Sequence, residues 1–175
     1  MTSTSRNIDH TVDVKQIAKK RIEEKVLVCI KQANDFFKTS ISVPNIKLNQ
    51  RGRAAGTAYL QRNEVRFNYY MYCQNSERFI ENVVPHEIAH LVVFNLYGLT
   101  TKPHGDEWQQ VMQRLYGVPA ARTHNFLPEP PKNIFIYQCD CQKHELSVRR
   151  HNRIVQGGQY VCKLCRTALQ SKNQT

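Results

Sequence analysis

The sequence predicts an α+β protein of two modules, in which helices packed on a short antiparallel sheet are followed by a small cysteine-rich module. Residues 14–33 repeat apolar side chains at helical spacing, whereas residues 46–70 contain three short β-prone runs. A proline-rich stretch, Pro128 to Pro131, marks a boundary beyond which the chain becomes basic and cysteine-rich. We therefore expect a flexible N-terminus over 1–12, a first module over 13–127 and a second module over 132–170.

The first module is predicted to begin with an amphipathic helix from about residue 12 to residue 37. Its apolar stripe consists of Val14, Ile17, Ala18, Ile22, Val26, Cys29, Ile30 and Ala33. Strands are expected at 46–48, 57–60 and 65–70, with a turn at 61–64. Further helices are expected over 75–84, over 86–97 and from residue 105 onwards. Pro85 either kinks one continuous helix or begins a new one.

Basic residues are concentrated near the C-terminus. The chain carries 25 Lys and Arg against 14 Asp and Glu, for a net charge of +11. Residues 132–175 hold eight of those basic side chains and only two of the acidic ones, and so contribute +6. Such a tail is typical of proteins that bind a polyanion, most commonly nucleic acid, although a basic face can also serve solubility alone.

The sequence shows no sign of export or of membrane insertion. Its first residues are polar, without the apolar run of a signal peptide, and no segment approaches the roughly 18 apolar residues of a membrane span. We therefore expect a cytoplasmic protein with no membrane partner. Thiols stay reduced in that compartment, so paired cysteines are interpreted as metal ligands before disulfides.

The run His86-Glu87-Ile88-Ala89-His90 is the strongest chemical signal in the sequence. Residues four apart on a helix project from the same face, so His86 and His90 can bind one metal ion. Glu87 lies next to the first ligand, where it can act as general base on a water molecule without binding the metal itself. The pattern predicts a catalytic zinc site.

The third ligand of that site has to come from elsewhere in the chain, because catalytic zinc usually has three protein ligands and one open position. The long metzincin motif is excluded, since Val93 and Leu96 occupy the positions of its glycine and third histidine. His104 is the next histidine, and the preceding loop can return it to the motif helix. We therefore expect His104 as the third ligand. The alternatives are Asp106, Glu107 and, less favoured, His124.

Four cysteines within 27 residues predict a second metal site, of the structural kind. Cys162 and Cys165 have the spacing of a zinc knuckle, and twenty residues separate them from the tighter pair Cys139 and Cys141. Two such pairs at that distance predict a zinc ribbon. The one-residue spacing leaves His144 as a substitute for one cysteine of the first pair, and a disulfide is the alternative to metal.

Basic residues around these cysteines are candidates for nucleic-acid contacts. They are Arg149, Arg150, Arg153, Lys163 and Arg166. Tyr137 and Tyr160 are interleaved aromatic residues that can stack on bases, although such residues are more often part of the core of a hairpin.

Several segments of the chain carry a family resemblance. The motif run 84–91 is followed by Pro103-His104-Gly105-Asp106-Glu107-Trp108, and further similarity lies at 53–58, 117–124 and 149–153. In these segments the sequence closely resembles the SprT family, over nearly the whole chain after the first dozen residues. The resemblance implies a minimal zincin fold, with a short sheet over the motif helix, followed by a zinc ribbon. It also implies a third ligand in a His-Gly pair, which His104-Gly105 matches.

The motifs and the resemblance together predict a zinc-dependent endopeptidase that acts on protein substrates. The family includes eukaryotic proteases that digest proteins crosslinked to DNA, so the resemblance implies DNA-associated proteins as a candidate substrate class. One alternative is a zinc-stabilised nucleic-acid-binding or regulatory protein with little peptidase activity. Glu87 argues against it, since a structural zinc would not need that carboxylate. Another alternative is a metal hydrolase that cleaves a non-peptide bond.

Overall fold

The computed structural model describes residues 14–130 and 133–171. The N-terminus expected to be flexible, residues 1–12, lies outside these ranges. The chain divides into two compact units between Glu129 and Pro130. The class is α+β, as predicted. Within the described ranges, every helix is too short or too polar to cross a membrane.

Helix α1 (Val14–Phe37) supplies one wall of the core of the first unit and packs against helix α4 (Val84–Tyr97). Its buried residues all belong to the predicted apolar stripe, whereas Val14 and Ile17 at its start are exposed. The buried residues of α1 are Ala18, Ile22, Val26, Cys29, Ile30 and Ala33. Near its end, the Asn34 side chain accepts a hydrogen bond from the Ile41 backbone N–H (2.7 Å) and donates to the Ile41 carbonyl (3.1 Å). This pair of bonds fixes the turn from the helix into the sheet.

The sheet of the first unit has three strands, β1 (Asn45–Lys47), β2 (Gly56–Tyr59) and β3 (Glu64–Phe67), in the order β1-β3-β2. Strands β2 and β3 are antiparallel, but β1 and β3 are parallel. The prediction of a wholly antiparallel sheet is therefore wrong for β1. The connection over 48–55 is long enough to carry the chain past one strand position, which β3 then fills. As a result, β2 lies at an edge of the sheet.

Strand β3 ends earlier than its β-prone sequence predicts. Asn68 caps helix α2 (Tyr69–Gln74), since its side-chain oxygen accepts a hydrogen bond from the Met71 backbone N–H at 3.3 Å. Cap geometry thus overrides the strand propensity of the two tyrosines that follow. The Asn68 amide also donates to the Ala54 carbonyl at 3.3 Å. This second bond anchors the connection that leads into β2.

The motif helix belongs to one continuous helical segment from Ser76 to Tyr97. Helix α3 (Ser76–Arg78) passes through a π-helical turn (Phe79–Val83) into α4 (Val84–Tyr97). Pro85 is the second residue of α4, two positions after the end of this wide turn. Proline lacks an N–H and clashes with the preceding turn of a regular helix, and the wider turn accommodates both effects. Gly98, at a φ of 70°, ends the helix where the sequence predicts.

After a loop, helix α5 (Asp106–Gln110) continues into a second π-helical turn (Val111–Leu115). Trp108, Val111 and Met112 are buried against the core. Gly117 follows at a φ of 65°, a left-handed conformation in which glycine carries no steric penalty.

The second unit is a small antiparallel sheet of β4 (Ile134–Gln138), β5 (Lys143–Ser147) and β6 (Gln170–Ser171), in the order β5-β4-β6. Helix α6 (Val148–Val155) follows β5, and the sequence analysis did not predict it. The His151 ring of this helix stacks on Phe135 (centroids 3.6 Å apart, planes at 4°). Its Nδ1 also lies 3.0 Å from the Tyr137 hydroxyl. These two contacts hold α6 on β4.

Candidate metal centres

Three histidine rings converge beside helix α4. His86 and His90 project from the same face of the helix, and the loop after it brings His104 between them. The Nε2 atom of His104 lies 3.1 Å from Nε2 of His86 and 3.1 Å from Nε2 of His90. All three atoms lie within 4.8 Å of one another. Three imidazole nitrogens facing a common point form a donor set that fits a zinc ion.

The backbone at His104 is left-handed, with a φ of 59°, which is uncommon for a residue other than glycine. A turn holds it there, because the Gly105 N–H donates to the Lys102 carbonyl at 2.9 Å. A Cβ added at Gly105 would lie only 3.0 Å from that carbonyl, so this turn favours glycine. His104 thus lies just before the cap of α5. Within the described chain, neither Asp106 nor Glu107 joins the cluster of possible ligands.

Trp108 forms the floor of the histidine cluster. Its ring centroid lies 4.7 to 5.6 Å from those of the three histidines, and its indole N–H donates to the His86 carbonyl at 3.3 Å. The His86 ring also makes a hydrogen bond to the backbone of Ala121. Bonds of this kind fix the orientation of a ligating ring. Neither contact is predictable from the sequence, in which Trp108 stands out only as the last residue of the run 103–108.

Burial keeps the three imidazoles in the neutral form that binds metal. It lowers the pKa of His90 to about 3 and that of His86 to about 4, and the neighbouring histidines lower both further. The pKa of His104 is lowered as well, first by burial and then by the nearby positive charge of Arg122. Neutral imidazole is the ligand form, so the donors need not lose a proton near neutral pH.

Glu87 is almost completely buried, with 7% of its surface exposed, and it packs against strand β2. Burial raises the pKa of its carboxyl to about 8. A hydrogen bond from the Ala58 backbone lowers this pKa, but its effect is the smaller of the two. A Cβ added at Gly56 would lie 2.5 Å from Glu87 Cγ and 2.8 Å from Oε1. Glycine at position 56 is therefore what allows the carboxylate to lie against the strand.

His124, the less favoured alternative ligand, lies outside the cluster of three histidines. Its Nε2 accepts a hydrogen bond from the Ala55 backbone N–H at 3.1 Å, and its Nδ1 lies 3.3 Å from the Phe126 nitrogen. His124 thus ties the segment after α5 to the start of β2.

Two cavities meet at the histidine cluster. Gly56, His86 and Glu87 line both of them. One, of about 480 Å³, extends along the loop that carries His104. The other, of about 780 Å³, extends beneath the segment 119–128. The site therefore opens on two cavities, and Glu87 lines both of them.

The four ribbon cysteines form the second cluster, and their sulfurs also lie within 4.8 Å of one another. Cys141 Sγ is 3.5 Å from Cys139 Sγ and 3.7 Å from Cys162 Sγ, too far for a disulfide bond. All the cysteines are free. A hydrogen bond from the Thr167 hydroxyl lowers the pKa of Cys165, which favours the thiolate that binds metal.

His144, the alternative to one cysteine of the first pair, lies beside the cluster. Its Nε2 is 3.2 Å from Cys139 Sγ, opposite Tyr137 in the β4–β5 pairing. The four cysteines come together without it, because the hairpin turn after β4 directs both Cys139 and Cys141 towards the second pair. In that turn, the Cys139 N–H donates to the Gln142 carbonyl at 3.1 Å.

The predicted nucleic-acid residues lie on two parts of the second unit. Arg149, Arg150 and Arg153 are exposed on α6, whereas the exposed Lys163 and Arg166 belong to the turn that carries Cys162 and Cys165. The guanidinium carbons of Arg150 and Arg153 lie 6.0 Å from the centre of the Tyr160 ring. Tyr137 is only 2% exposed, so it is a core residue rather than a stacking platform.

Comparison with known proteins agrees with this architecture. The model of the SprT-like family matches residues 26–124, and that of the SprT-like zinc ribbon domain matches residues 134–173. Protein SprT of Escherichia coli (strain K12) is 44% identical over 163 residues, covering 92% of this chain and 96% of that protein. Protein SprT of Pasteurella multocida is 43% identical over 152 residues, covering 86% and 92% respectively.

A third relative, Protein SprT of Actinobacillus succinogenes, is 40% identical over 158 residues, covering 89% of this chain and 92% of that protein. No solved structure matches the chain. The two family models and the long alignments agree from the motif helix through to the ribbon cysteines. The chain therefore belongs to the SprT-like family and carries an SprT-like zinc ribbon domain.

Proposed function

We propose that this protein is a zinc-dependent metallopeptidase that cleaves protein substrates as an endopeptidase. The observation that carries the proposal is the convergence of three imidazole nitrogens next to a buried carboxylate that is not one of the donors. A purely structural site has no need of such a carboxylate, and such sites are usually closed by four ligands. This one presents three donors and opens on two cavities.

His86, His90 and His104 would hold the zinc ion. When bound, zinc supplies Lewis-acid chemistry: it polarises a peptide carbonyl and makes a water molecule more acidic. The chain orients the donors through Trp108 and the Ala121 backbone, as described above. Glu87, beside these donors, is buried and lines both cavities of the site.

Glu87 is the general base in this proposal. One carboxylate oxygen takes a proton from the attacking water and then delivers it to the nitrogen of the leaving amine. The hydrogen bond from the Ala58 backbone and the contact with Gly56 fix the direction of the carboxylate, so that it need not reorganise during the reaction.

The shape of the site supports cleavage within a chain rather than at its end. The two cavities lie on either side of the histidine cluster, so an extended polypeptide can enter one and leave by the other. Strand β2 lies at the sheet edge next to the cluster and pairs only with β3 among the described strands. A substrate strand can therefore align along it through backbone hydrogen bonds.

The Glu87→Gln and His104→Ala variants should lose different properties. Glu87→Gln keeps size and fold but removes the base, so zinc should remain while peptidase activity on a denatured protein falls by about 10² to 10⁴. His104→Ala leaves two donors, so zinc and activity should be lost together. Zinc content per chain and the cleavage rate are measured on both variants.

Glu107→Gln is the matched control, since Glu107 is a nearby carboxylate outside the donor cluster. It should keep both zinc and activity. A Glu87→Gln protein that cleaves as fast as wild type would refute the mechanism. Full zinc content in His104→Ala, combined with zinc loss in Glu107→Gln, would make Glu107 the third ligand.

The wild-type chain should purify with close to two zinc ions, one for each cluster. Replacing both Cys162 and Cys165 by Ser should remove one ion and leave the other, because the two donor sets belong to different compact units. Cys73→Ser is the control, since Cys73 is exposed and lies outside the cysteine cluster. A single zinc per wild-type chain that survives the double replacement would contradict a zinc-loaded ribbon.

We further propose that the second unit binds nucleic acid through helix α6 and Tyr160. Three exposed arginines on one short helix, two of them near an aromatic ring, offer both phosphate contacts and a stacking surface. The His151 stack on Phe135 holds this helix in place before any partner arrives. Such binding would bring the peptidase site to proteins on DNA.

Replacing Arg149, Arg150 and Arg153 by Gln should weaken binding to a single-stranded oligonucleotide. Because phosphate contacts dominate, wild-type affinity should fall by about 10²-fold or more between roughly 50 and 200 mM salt, and less steeply in the variant. Fluorescence anisotropy measures both slopes. The control, Lys20→Gln with Lys31→Gln and Arg114→Gln, removes the same charge from the first unit. An equal loss of oligonucleotide affinity in the control, or no loss in the α6 variant, would exclude α6 as the binding surface.

A further inference from the structure

The two cavities that meet at the histidine cluster differ in charge. The cavity beneath the segment 119–128 is lined by Arg53, Arg78 and Arg122, together with His124. Apart from Glu87, none of the described residues that line it is acidic. The cavity along the His104 loop has a single cationic side chain of this kind, Lys102.

The three arginines have no acidic partner in the described part of the chain. Every ion pair found there involves another cation: Lys19, Arg21, Lys47 or Arg66. All three arginine residues are exposed at the cavity. Guanidinium groups that line one cavity without a counter-ion are suited to binding a carboxylate in bidentate fashion.

The cavity is concave and has an apolar base. Val83, Met112 and Phe126 line it as well, and its volume of about 780 Å³ is that of a small-ligand pocket. An acidic side chain fits this pattern, because its stem can lie on the apolar base while its carboxylate meets the guanidinium groups.

The cavity along the His104 loop is suited to different side chains. Its wall contains Leu60, Val93, Phe94, Leu99 and Pro103. This contrast argues against a nucleic-acid strand along the site, since such a strand needs a cationic groove that follows its phosphates. Here the cationic part ends where the apolar wall begins. A local cluster of positive charge beside an apolar surface fits a polypeptide with one acidic residue.

We propose that the cavity of Arg53, Arg78 and Arg122 is a specificity subsite for an Asp or Glu side chain of the protein substrate, on one side of the cleaved bond. Apolar substrate residues on the other side of that bond occupy the cavity along the His104 loop, against Leu60 and Phe94. The inference rests on the proposed peptidase function and adds a substrate preference to it. It gives the three arginines a role in substrate recognition that is separate from the chemistry.

The preference can be read directly from the cleavage products of a denatured protein identified by mass spectrometry. Cut sites should show enrichment of Asp and Glu at a fixed distance on one side and of apolar residues on the other. Two peptides that span one such site, with Glu or with Gln at the enriched position, then provide a matched pair. The wild type should cleave the Glu peptide with a kcat/KM at least about tenfold higher, as expected for a charge-assisted hydrogen bond.

The variant with Arg53, Arg78 and Arg122 replaced by Gln should cleave both peptides at the slow rate of the Gln peptide. The variant with Lys20, Lys31 and Arg114 replaced by Gln, which loses the same charge elsewhere, should keep the wild-type preference. Binding provides a readout independent of turnover. The Glu87→Gln protein should bind the Glu peptide more tightly than the Gln peptide by calorimetry, and adding the three arginine replacements should abolish that difference.

The outcomes separate this inference from the function on which it rests. Cleavage at cut sites without acidic enrichment, with equal rates for the two peptides, overturns the subsite and leaves the peptidase standing. The absence of any cleavage that depends on Glu87 overturns the peptidase itself. An arginine variant that keeps the peptide preference but loses affinity for a single-stranded oligonucleotide overturns the subsite in favour of nucleic-acid phosphate.

Discussion

The contact between Gly56 and Glu87 is the constraint on which the site depends. The Glu87 side chain is buried against strand β2. Only a residue without a Cβ at position 56 leaves room for it there. The contact requires β2 to lie directly over the start of α4, at an edge of the sheet. Glu87 and the three histidines line the same cavity.

The rest of the first unit supports that contact from both sides. Asn68 anchors the connection that leads into β2, and His124 ties the same region to the segment after α5. The π-helical turn before Pro85 sets where α4 begins, and with it the positions of His86 and His90. The left-handed backbone at His104, held by the Gly105 turn, then completes the donor set. Long-range hydrogen bonds, rather than the motif alone, therefore define the site.

Sequence periodicity predicted α1 well, because this helix buries an apolar face at regular spacing. The motif helix, expected over 86–97, begins two residues earlier and is buried on most sides. Periodicity could not predict that β1 pairs in parallel with β3, since strand direction depends on how the 48–55 connection crosses the sheet. The end of β3 was misplaced, because the Asn68 cap outweighs the β propensity of Tyr69 and Tyr70. Motif spacing predicted that His86 and His90 share one helix face, and His104, expected as the next histidine, lies beside them. The supporting residues, such as Gly56 and Trp108, are visible only in three dimensions.

The most direct test of this account is the Gly56→Ala variant, assayed for zinc content and for kcat/KM on a denatured protein. The added methyl group would push Glu87 out of position while leaving all three histidine donors in place. The variant should keep two zinc ions and an unchanged Trp108 fluorescence spectrum, and it should lose about tenfold or more of its activity. Wild-type activity in a folded, zinc-loaded Gly56→Ala protein would contradict the claim that this contact positions the catalytic carboxylate.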